Sequence, residues 1–129
     1  MAMRFSTTLR TTRSTDIVTA AGAAAKIKFY NGAVPATGVA PGGALLATLT
    51  FGAVLGTVAS GVLTLGAVTQ SNSGHAAGTP TFARITTASD AFVADIDIGA
   101  GVGNMTFSGA IATGTDVNLN ASTIIEGNA

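Results

Sequence analysis

The sequence has no cysteine, no tryptophan, one histidine and one tyrosine, and only 9% of its residues are charged. Each shortage closes off a class of chemistry. Without cysteine there are no disulfides, no thiolate nucleophile and no cysteine-based zinc site. Such a chain is compatible with folding in a reducing cytoplasm. Six phenylalanines and the single tyrosine offer no stacking platform for single-stranded bases, and sugar binding favours exposed Trp or Tyr. Six basic and six acidic residues cancel, so no net field draws nucleic acid or an anionic membrane surface. Neither is expected as a partner.

What is present is apolar and small. Hydrophobic residues make up 47% of 129, with 17 glycines, enough for one core and one domain. A neutral, charge-poor surface solubilises a free monomer poorly, so a homodimer, a homotrimer or a larger assembly is expected to cover it. Arg4, Arg10 and Arg13 precede the first apolar side chains of any density, and the alanines of 20–25 follow no hydrophobic stretch. A secretory leader is therefore not expected. Residues 39–70 carry no charge and are long enough to cross a bilayer. Gly42, Gly43, Gly52, Gly56, Gly61 and Gly66 interrupt them, threonines recur, and the pattern alternates with period two. These features favour strands over a membrane helix.

The chain divides into an N-terminal arm and helix, residues 1–25, and a β region, residues 26–129, within one domain overall. Leu9, Ile17, Ala20, Ala21 and Ala24 fall near helical spacing, which predicts a helix within 4–25. Its threonines lower its propensity, so it is expected to be marginal alone and to order by packing on something else. From Lys26 the period becomes two. Residues 26–30 alternate and stop at the turn dipeptide Asn31-Gly32, and a Pro/Gly loop follows. Residues 45–51 place Leu45, Ala47, Leu49 and Phe51 on one face. Further strands are expected at 62–68, 81–87, 91–98, 105–111 and 117–125, with a loop at 70–78 and a turn at 99–104. Phe92, Ala94, Ile96 and Ile98 share the apolar face of the strand at 91–98. Roughly seven or eight short strands with regular turn signals predict a mostly β fold, an antiparallel sandwich or barrel with one N-terminal α-helix.

Candidate chemistry is sparse. His75 lies in a small polar loop with no nucleophile motif or second ligand beside it, and is expected to be a solvent-exposed loop residue. Asp95 and Asp97 share a strand face, with Asp90 in the preceding turn. Paired carboxylates can hold a hard cation or move protons, but the spacing of a calcium loop is missing, and a solvated strand face is the expected reading. The glycines of 99–104 are mis-spaced for a dinucleotide fingerprint, with no lysine and no helix after them, so a hairpin turn is expected. Catalytic, cofactor-binding and metal-binding residues are each assigned as none, and no enzymatic activity or cofactor is expected. Arg4, Arg10 and Arg13 are either the wet face of the helix or an arm that grips a partner.

The order of elements carries a resemblance. A small helix in 10–25 is followed by Ile27-Lys28-Phe29-Tyr30-Asn31-Gly32-Ala33-Val34-Pro35-Ala36 and by Leu45-Leu46-Ala47-Thr48-Leu49. Gly61-Val62-Leu63-Thr64-Leu65, Ala77-Gly78-Thr79, Phe82-Ala83-Arg84-Ile85 and the terminal Glu126-Gly127-Asn128-Ala129 come next. In this order they resemble small virion proteins of tailed bacteriophages, specifically the capsid cement or decoration proteins. The resemblance implies a jelly-roll-like β-sandwich made in the host cytoplasm and bound outside the head. Its implied partner is the major capsid protein. It implies no catalytic residue. A tail or fibre component and, below it, a ligand-binding β-sandwich module are the alternatives.

Overall fold

The computed structural model describes residues 4–66, 68–69, 76–98 and 123–125. Along the chain run α1 (Thr7–Ala21), β1 (Lys26–Tyr30), β2 (Leu45–Phe51), β3 (Gly56–Ala59), β4 (Val62–Leu65), β5 (Val68–Thr69), β6 (Phe82–Thr86), β7 (Phe92–Asp97) and β8 (Thr123–Ile125). Five strands form one sheet in the order β5-β2-β1-β6-β7, and three form another in the order β3-β4-β8. Every pairing among the described strands is antiparallel. The protein is thus mostly β, with antiparallel sheets and one N-terminal helix.

The alternating pattern of β1 decides the centre of the large sheet. Ile27 and Phe29 are fully buried between half-buried Lys26, Lys28 and Tyr30. Beside them lie Leu49 and Ala47 on β2 and Ile85 and Ala83 on β6, all buried. One apolar cluster joins these side chains to Leu55 before β3, to Leu63 and Leu65 of β4, and to Ala21 and Ala25 around the end of α1. Both sheets and the helix therefore share a core. Burying a side chain such as Phe29 or Leu49 stabilises the fold by about 1.5–3 kcal/mol.

Two bulges shift the faces expected from alternation. Tyr30 pairs with Leu45 and Phe29 with Ala47, so Leu46 is an extra residue in β2. Leu46 turns into the core while Leu45 stands 44% exposed. In β7, Thr86 pairs with Phe92 and Ile85 with Ala94, leaving Val93 over. Val93, Ile96 and Ile98 pack on the core, whereas Phe92 lies beneath the guanidinium of Arg84. A bulge moves every residue on one side of it to the opposite face.

The run at 62–68 splits between the sheets. β4 pairs with β3, and β5 pairs with β2. β3 lies in a stretch with no strand expectation. Its hairpin with β4 turns on Ser60 and Gly61, both at positive φ (51° and 79°), as a two-residue type I′ turn requires. Asn31-Gly32 does not close a tight hairpin. The chain runs on to Ala44, whose amide donates to Asn31 Oδ1 at 2.7 Å.

The helix orders on its own chain. Ser6 caps it by accepting from the Leu9 amide. Its inward face is Arg10, Thr11, Ser14, Ile17, Val18 and Ala21, which keeps Ile17 and Ala21 of the predicted stripe, whereas Leu9, Ala20 and Ala24 are exposed. The expected strand at 105–111, the turn at 99–104 and His75 lie outside the described residues, as does most of 117–125 apart from β8.

Candidate functional site

The outer face of the large sheet carries Asp95 and the two lysines that hold Asp90; Asp95 and Asp90 are two of the carboxylates that sequence reasoning singled out. It forms because the residues opposite the core positions of β1, β2, β6 and β7 share it. Across the sheet run Thr50–Lys26–Thr86–Phe92, then Thr48–Lys28–Arg84–Asp95, then Leu45–Tyr30–Phe82–Asp97. Tyr30 stacks on Phe82 with ring centroids 5.3 Å apart and planes 12° from parallel. Phe82 is fully buried, although it faces away from the main core.

What covers that end of the sheet is the loop of residues 31–44. Asn31 ties its two ends, accepting from the Ala44 amide and donating its own amide to Ala44 O at 3.2 Å. A Cβ on Gly43 would collide with the Asn31 carbonyl, so only glycine fits this crossing. Thr81 holds the start of the loop, its hydroxyl donating to Gly32 O at 2.5 Å. The middle is fastened from below, where Arg84 Nη2 donates to Val39 O at 2.8 Å.

Arg84 is the anchor of this strap. It is 7% exposed. Nε donates to Asp95 Oδ1 at 2.7 Å and Nη2 to Asp95 Oδ2 at 2.9 Å, a bidentate pair. Its guanidinium carbon lies 4.8 Å from the Phe92 ring centre. The hydrogen bond to Asp95 pushes Arg84 further above its already high pKa, against the opposing effect of burial. A buried pair of this kind is tolerated because two parallel bonds, a carbonyl and a ring face replace the lost water. Asp95 was expected on a solvated face. Its side chain is in fact 9% exposed and committed to Arg84.

The other carboxylate that sequence reasoning named has its own cations. Asp90 Oδ1 lies 2.8 Å from Lys28 Nζ and 3.1 Å from Lys26 Nζ. The hydrogen bonds from Lys28 and then Lys26 hold its carboxyl below the usual carboxylate range. Asp90 and Asp95 therefore bind cations separately and do not form a dyad. Asp97 pairs with Phe82 along the backbone. Among the described residues no three His, Cys, Asp or Glu side chains group as metal ligands. No described helix is long and apolar enough to cross a membrane.

Of the three arginines, Arg4 is exposed. Arg13 lies over the Phe5 ring, 4.7 Å from its centre. Arg10 lies across Gly61, where an added Cβ would stand 2.9 Å from its own. Sequence reasoning missed Arg84 and the strap. The only signal was an arginine inside an otherwise apolar strand, Phe82-Ala83-Arg84-Ile85.

The exposed surface of the strap is unusual in chemistry. Residues 31–44 contain no ionisable side chain, and Val34 and Val39 stand 44% and 53% exposed beside Leu45 of β2, which is 44% exposed. This is an apolar-bearing surface held in place by polar bonds to Asn31, Thr81 and Arg84, suited to contact with another protein. Comparison with family models, with characterised proteins and with solved structures gives no match to the chain.

Proposed function

We propose that this protein is a capsid decoration protein of a tailed bacteriophage, bound outside the head, where it stabilises contacts between major capsid protein subunits. The observation that carries the reading is the uncharged strap, with Val34, Val39 and Leu45 outward and its backbone fastened by Arg84 and Asn31. A surface already ordered before contact loses little conformational entropy on binding. The shared apolar cluster of the two sheets and the helix supports a jelly-roll-like sandwich as the finer architecture. The protein works mechanically and turns over nothing. It acts as a homodimer or homotrimer, and each copy adds interface area across a seam of the shell. Because it binds the assembled shell and not the separated subunits, it stabilises the shell by mass action.

Cryo-electron microscopy of purified particles tests this. Density for the protein on the outer head surface, over junctions between capsid subunits, is the expected result. Density confined to the tail or its fibres would replace the reading with that of another virion component. Absence from particles, together with retention on a glycan array, would favour the ligand-binding module.

A further inference from the structure

We propose that α1 is a latch that opens and closes on the β3–β4 hairpin while the sheets stay folded. This stands apart from the proposed function and concerns the chain alone. Of the helix's 15 residues only Ser14 and Ala21 are fully buried. Ile17 and Val18 pack on the core near its C-terminal end. The N-terminal half meets the β3–β4 hairpin through polar contacts to Gly61. Ser14 Oγ donates to Gly61 O at 3.3 Å, and the Gly61 amide donates to Thr11 Oγ1 at 2.9 Å. Among the described residues, Arg10 Nε is buried beside that turn with no hydrogen-bond partner, which weakens the closed state.

Apart from the Ser6 cap, the described side-chain bonds within the helix do little to make up for this thin docking. Thr11, Thr12, Thr15 and Thr19 turn their hydroxyls back onto the carbonyls four residues earlier, an arrangement that slightly destabilises helices. A helix of this length is marginal alone even when rich in alanine. Released from the hairpin, α1 therefore melts, so undocking and unfolding are one event. The hinge is at hand. Gly22 and Ala24 both have positive φ, 71° and 55°. Beyond it, the Ala25 carbonyl is bonded to the Phe51 amide and the Ala24 amide to the Gly52 carbonyl, which keeps the motion out of β1.

Hydrogen exchange of the full-length protein, read by mass spectrometry, tests the latch. Protection factors for residues 11–21 are expected to be at least about tenfold below those of β1 and β6, as for a unit that opens before the whole. Ser14→Ala should lower helix protection a further fivefold or so, the equivalent of one neutral hydrogen bond, and leave β1 and β6 within about twofold. Thr11→Val, which removes the acceptor of the Gly61 amide, should do the same. Equal protection in α1, β1 and β6 would overturn the proposal, as would variants that lower all three together. Complete exchange of α1 at the earliest time would overturn it too, because the latch would then not be closed.

Discussion

Arg84 shows how one side chain joins the sheet to the loop above it. Its bonds to Asp95 and to Val39 O are short and nearly dry, so removing either charge leaves the other buried and unpaired. Arg84→Met and Asp95→Leu are each expected to cost about 3 kcal/mol or more in denaturant unfolding. The double variant should recover most of that loss, since an apolar pair of similar volume needs no partner. Simple additivity of the two losses would show that the pair is not coupled. Asp90 makes the opposite case, being exposed and screened. Its φ of 69° is one that asparagine also tolerates, so Asp90→Asn removes the charge and spares the backbone. The folded carboxyl is held below its unfolded value by Lys28 and Lys26. Its contribution is therefore present above the unfolded value, roughly 3.9, and is lost as pH falls through the folded value. Thermal melting should place Asp90→Asn slightly below the natural chain at neutral pH, and the two should converge in acid and in high salt. A gap that is constant with pH would remove the ion pairs as its cause.

At the scale of elements, the bulge in β2 makes a prediction opposite to that of alternation. Leu46 is 1% exposed and Leu45 44%, so Leu46→Ala should cost about 2–5 kcal/mol, and Leu45→Ala should stay within about 0.5 kcal/mol. Chemical denaturation of both variants reads the phase of the strand directly; the reverse order would mean that the bulge is misplaced. Alternation does locate the strands themselves. β1 and β2 lie at the expected residues, and β6 and β7 lie within the expected spans, because Ile27 and Phe29 or Leu49 and Phe51 announce a buried face by period two. What alternation does not carry is a phase shift, because an inserted residue such as Leu46 or Val93 is as apolar as its neighbours. The β3–β4 hairpin went unread because Gly56-Thr57-Val58-Ala59 has little apolar contrast and Ser60-Gly61 is a weaker turn signal than Asn31-Gly32. The N-terminal part of the inward face of α1 was hidden for a related reason. Its middle is Thr11 and Ser14, chosen to fit against Gly61 by size and hydrogen bonding, and no hydrophobic pattern records such a choice. The strap was visible only as a Pro/Gly loop, since its fastening depends on Arg84, 45 residues away from Val39.

For the whole molecule, low charge and an apolar strap bear on how copies behave together and on a shell. Sedimentation of the purified protein is expected to give a dimer or trimer across the micromolar range, and a monomer at every concentration would remove the oligomer from the reading. Attachment to heads can be separated from folding, because the fastening runs through Asn31 Oδ1 and backbone atoms of the strap, and the outward side chains of Val34, Val39 and Leu45 are not part of it. Val39 gives its carbonyl to Arg84 while its side chain is 53% exposed. The triple variant V34S/V39S/L45S should therefore melt within a few degrees of the natural chain, as surface changes do. It should nevertheless bind decoration-free heads at least about tenfold more weakly, the equivalent of losing some 1.4 kcal/mol of apolar contact across three side chains. Heads without the protein should assemble normally and break at a lower temperature than decorated ones, and the triple variant should restore less of that resistance at the same concentration. Undiminished binding by a variant that remains folded would move the contact surface away from the strap, even if microscopy places the protein on the head. Failure of the natural chain to bind heads at all would instead remove the decoration function, so the two results discriminate the site from the role.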